Sequence, residues 1–76
     1  MTSDQLRQAL AELNGERKAD FAFKAGQGLS VANAMLVPDE PDHLLKVTDG
    51  QAIYIIDAES VAWIRIGLNN HTVPSA

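Results

Sequence analysis

The sequence predicts a mainly β fold with one N-terminal α-helix, its five short antiparallel strands closed into a small barrel. Three observations carry that prediction. Leucines at helical spacing are confined to the first fourteen residues, the apolar period switches to two after Gly15, and the apolar runs that follow are short and separated by Gly, Pro and Asp-Gly signals. A chain of 76 residues forms a single domain, read here as residues 1–67, followed by a flexible tail from Leu68 that contains Asn69, Asn70 and Pro74.

Thr2 and Gln5 have the spacing of a capping box, in which each side chain satisfies the other residue's free backbone N–H. Leu6, Leu10 and Leu13 then mark one buried face, and Asn14-Gly15 ends a helix expected over 2–14. Ala19, Phe21, Phe23 and Ala25 alternate with Lys18, Asp20, Ala22 and Lys24, as in a strand with one buried face, and Gly26-Gln27-Gly28 breaks it. A second strand spans Leu29 to Val37, and the Pro38–Asp42 stretch reads as a loop because its prolines and like charges neither pair nor pack.

Leu44–Thr48 forms the third strand. Asp49-Gly50 predicts a tight type I′ turn with positive φ at both central residues, which leads into a fourth strand over Gln51–Asp57. Asp57–Ser60 is a polar connector, expected as a single 3₁₀ turn, before a fifth strand over Val61–Gly67. An open sheet of this size leaves an apolar face half covered, and closure into a barrel is the expected solution.

The last two strands carry apolar residues on both faces. One face fills the core; the other, expected to present Tyr54, Ile56, Val61 and Trp63, needs cover that a single helix does not provide. The sequence therefore predicts self-association through strands 4 and 5 into a homo-oligomer, a symmetric ring or a dimer. Arg65 is expected to pair with Asp57 or Glu59 of a neighbouring copy and to set register there. Small size points the same way: folding buries only roughly 60 % of the surface of so short a chain, and with no Cys there is neither a disulfide nor a thiolate metal site to compensate.

Charge and composition narrow the function. Six basic residues against ten acidic ones leave a net charge of −4 with no basic stripe, which disfavours tight, sequence-independent RNA or DNA binding. The first residues lack the apolar core of a secretory signal and no apolar run is long enough to span a bilayer, so no membrane partner and a cytoplasmic location are expected. His43 lies beside Asp39, Glu40 and Asp42, but the spacing fits no defined metal loop and a solvated loop is the expected reading. With no Cys, no positioned base for Ser3, Ser30 or Ser60, and His71 in the expected tail, no catalytic residue, cofactor or metal is assigned and the chain is not expected to be an enzyme.

The order of elements, with ERKADFAFKAG as first strand and glycine turn and LLKVTDGQAIYIIDAESVAWIRI as the last three strands, resembles the Sm-like superfamily and above all the bacterial host-factor branch of RNA chaperones. The resemblance implies a small SH3-like barrel that forms rings by pairing strand 4 of one subunit with strand 5 of the next. It implies a scaffold or binding module, with two alternatives: an RNA-binding member using a different surface, and an SH3-like subunit of a hetero-complex with a protein partner. Two departures bear on that. The branch's RNA-contacting Tyr-Lys-His run is replaced by Tyr54-Ile55-Ile56, so the RNA site does not carry over, and the glycine at which the family's strand 2 bends has no counterpart in Leu29–Ala34.

Overall fold

In a computed structural model that describes residues 1–68, the chain begins with helix α1, Ser3–Leu10. Both halves of the capping box are made: Gln5 N donates to Thr2 Oγ1 and Thr2 N to Gln5 Oε1, each at 3.0 Å. The helix is shorter than its leucine spacing predicts. Past Leu10 the chain tightens into bonds between residues three apart, Ala11 N to Gln8 O and Leu13 N to Leu10 O, which satisfy the last carbonyls while still burying Leu13. Gly15, at φ 86°, then turns the chain into the sheet and donates its N–H to Ala34 O at 3.0 Å.

The strands are β1 (Arg17–Phe23), β2 (Gly28–Leu36), β3 (Leu45–Thr48), β4 (Ile53–Ile56) and β5 (Val61–Ile66), with a 3₁₀ turn at Ala58–Ser60. They form one antiparallel sheet in the order β4-β3-β2-β1-β5. The sheet is not closed into a barrel, which corrects the expectation from sequence. Asp57 accepts from Glu59 N and Ser60 Oγ, and the turn it caps carries the chain across from one edge of the sheet to the other instead of folding β5 back as a hairpin onto β4. Ser60 O is already taken by Lys24 N at 2.8 Å.

β2 is the hinge of the sheet, pairing with β1 along its first part and with β3 through Met35 and Leu36. Between these regions Asn33 sits at φ 52°, and the register slips so that Ala34 faces Arg17 while Val31 faces Ala19. The extra residue is a β-bulge, which bends the strand and strengthens its twist. It also lets Val31 and Ala34 both turn inward, where regular alternation would put them on opposite faces. Asparagine, after glycine, is the residue that enters this backbone region most readily, and Asn33 thereby makes the bend of β2.

The core lies between α1 and the interior face of the sheet. Leu6 and Leu10 meet Phe21, Val31, Leu45, Val47 and Val61, all essentially inaccessible to water. Full burial of such side chains is worth about 1.5–3 kcal/mol each.

Two free strand edges as the candidate functional site

The sheet order leaves β4 and β5 as its outer edges, and they carry three of the large exposed apolar side chains, with Met35 of β2 a further one. Ile53 and Ile55 on β4 are 60 % and 62 % exposed, and Trp63 on β5 is 53 % exposed. The face expected to need cover is therefore composed differently from the expectation. Ile56 and Val61 are core residues of their own protomer and Tyr54 is half-buried against that core. On β4 the inward face is dictated by pairing with β3, which aligns Ile56 with Leu45 and Tyr54 with Val47. On β5 a bulge sets Val61 opposite Phe23 and Trp63 opposite Ala22, so two residues that simple alternation places on one face end on opposite ones.

Arg65 also differs from its expected role. Its Nε and a terminal nitrogen both lie 3.0 Å from Asp20 Oδ2 in the same protomer, and Ser30 Oγ donates to the other carboxylate oxygen at 2.6 Å. These three residues form a polar row across β2, β1 and β5. The Ser30 hydroxyl first, and then the Arg65 guanidinium, hold the Asp20 carboxyl below the usual carboxylate range.

The β3–β4 hairpin is rigid at its tip. Asp49 accepts from Gln51 N at 2.8 Å and Ala52 N at 2.9 Å, and from the Tyr54 hydroxyl at 3.3 Å; the two backbone N–H groups chiefly lower its pKa. Positive φ is carried by Gly50 alone, at 92°, which corrects the expectation of positive φ at both central positions. Asp49 instead uses its carboxylate to cap the turn, as short acidic side chains do.

At the other end of β4, next to the start of α1, a cleft of about 340 Å³ opens between Ser3, Leu44, Leu45, Ile56, Asp57 and Ala58. Its lining mixes apolar side chains with the Ser3 hydroxyl, the His43 imidazole and the Asp57 carboxylate. The acidic loop lies close by and is held down by cations. Lys46 binds both Glu40 and Asp42, the latter at 2.8 Å; the Lys46 bond and then that from Leu44 N lower the Asp42 pKa, while the bonds to Asp42 and Glu40 raise that of Lys46. Arg7 donates to Val37 O and Leu44 O from the helix and lies 3.5 Å from Asp39.

His43 Nδ1 is 3.4 Å from Asp39 Oδ2 on an exposed turn, where its left-handed backbone, φ 57°, closes the loop. Among the described residues no group of three or more His, Cys, Asp or Glu is arranged to hold a metal ion, and no helix is long and apolar enough to cross a membrane. His71 and most of the expected tail lie outside the described residues. Comparison with known protein families, with curated proteins and with solved structures finds no match for this chain.

Proposed function

We propose that the chain is a noncatalytic Sm-like assembly module, a scaffold whose copies join edge to edge through β4 of one and β5 of the next. The observation that carries this reading is that β4, the strand with most large exposed apolar side chains, and β5, which carries exposed Trp63, are the two outer edges of the sheet among the described residues. An edge strand presents a row of unpaired N–H and C=O groups, and monomeric proteins guard such rows with charge, proline or a bulge. Here β4 reads Ile53-Tyr54-Ile55-Ile56 with none of the three.

The pairing is heterologous. A two-fold β4–β4 dimer covers Ile53 and Ile55 but leaves β5 and Trp63 bare, whereas β4-to-β5 joining uses both edges of every copy and leaves none bare when the assembly closes as a ring. A noncatalytic role is supported by how the polar side chains are spent. Asp57 caps a turn, Asp49 caps another, and His43 pairs with Asp39 at the surface.

Size-exclusion chromatography with light scattering tests the reading. The expected result is one species at several times the protomer mass; a single protomer at every concentration overturns it.

A further inference from the structure

The bonds on the inner side of each edge strand determine which of its residues turn their backbone groups outward. Lys46 O accepts from Val37 N at 2.9 Å, so the Lys46 backbone faces β2. Its partner across the hairpin, Ile55, therefore points its N–H and C=O to the open side of β4, and Ile53 does the same by alternation. On β5, Gly67 N donates to Lys18 O at 2.9 Å. Arg65 and Trp63 then face β1, while Ile64 and Ile66 face the open side.

An antiparallel joint bonds residues whose backbone groups point at one another. Of the registers these directions allow, the one that sets Ile53 and Ile55 of one copy opposite Ile66 and Ile64 of a second brings both outward isoleucines of β4 against both of β5. Its consequences are specific. The exposed isoleucines of the first copy continue the interior face of the second, beside Ile64 and Ile66, which its own core only half covers. Arg65 of the second copy comes opposite Tyr54, whose hydroxyl donates to Asp49, so a cation meets the acidic tip of the hairpin. Trp63 of the second copy comes opposite Ile56, which lines the cleft.

We propose that Trp63 of a second copy fills the cleft bounded by Ser3, Leu45, Ile56 and Ala58, a binding site that neither copy completes alone. This rests on the edge-pairing reading and names what that pairing puts in the cleft. On its own strand Trp63 shares a row with Ala22 and Gly28, neighbours too small to shelter an indole. The cleft supplies what the indole lacks: apolar side chains to pack on, and oxygen acceptors on Ser3 and Asp57 for its N–H. Aromatic side chains with a polar tip gain most from such sites, where large area is buried and the donor is satisfied.

Trp63 is the only tryptophan of the chain, so its fluorescence reports the site directly. As concentration is raised through the assembly transition followed by light scattering, emission is expected to shift to shorter wavelength and acrylamide quenching to fall several-fold. In Ser3→Phe, a change at an exposed position that fills the cleft, quenching is expected to return to the level of the dilute protein. Assembly with Trp63 still fully quenched overturns the cleft assignment and leaves edge pairing standing; a chain that never associates overturns both. The chain has no cysteine, so mixing Tyr54→Cys copies with Arg65→Cys copies under diamide tests the register. A disulfide-linked pair is expected, and assembly without it overturns that alignment.

Discussion

At the scale of single residues, Asn33 sets the bend of the sheet. Its left-handed backbone makes the bulge that turns β2 from one partner to the other, and a residue with a branched β-carbon resists that conformation. Asn33→Val is expected to lower stability by about 1–2 kcal/mol in urea unfolding, whereas Asn33→Gly leaves it nearly unchanged. Asp20, Asp42 and Asp49 all have lowered pKa values. A carboxyl with a lower pKa in the folded than in the unfolded state stabilises the fold above its unfolded value, near 4, and that contribution is lost as pH falls through the folded value. Thermal midpoints are thus expected to hold from neutral pH down to about 4 and to fall below it, with Asp49→Asn removing part of the acid-sensitive step. Lys46 behaves in the opposite sense. Its raised pKa makes its contribution complete below its ordinary value of 10.5 and lost only in stronger alkali. Both effects are read from melting curves across pH.

At the scale of elements, α1 and β4 face different tasks. The helix serves its own protomer: its capping box holds the first turn in place over the core, and Thr2→Ala is expected to cost about 1 kcal/mol in denaturant unfolding. β4 serves the assembly. Ile55 is largely exposed in the single protomer, so Ile55→Lys is expected to leave the unfolding of the dilute protomer unchanged while abolishing association in light scattering, as charge on an edge strand does. If Ile55→Lys assembled as the wild type does, the β4 edge would not be the joint. Edge strands were legible in part from sequence, since the excess of apolar residues in the last two strands is a matter of composition. Which side chains face out was not legible, because the Ala62 bulge and the pairing of β4 with β3 are set by partners distant in sequence.

At the scale of the whole molecule, a sheet that stops at two open apolar edges has unfinished business that a second copy resolves. Coupling of folding to association makes stability depend on concentration, so the melting temperature is expected to rise as the protein is concentrated across the assembly transition. Net charge enters at the same scale. With −4 per copy, a closed assembly concentrates negative charge, and labelled single-stranded RNA is expected not to bind even at low salt, where phosphate neutralisation is strongest. Binding in that test would favour the alternative of an RNA-binding member that uses a different surface.

The sequence alone determined the helix and its cap, the five strands and where the chain turns between them, and the surplus of apolar surface near the C-terminus, because helix caps, turn residues and alternation act between neighbours a few positions apart. The tertiary structure decided that the sheet stays open, that Asn33 rather than a glycine bends β2, that Ile53, Ile55 and Trp63 face water while Ile56 and Val61 do not, and that Arg65 binds Asp20. Each of those depends on register between strands far apart in the chain. A shift of one residue there exchanges the two faces of a strand without altering its local pattern.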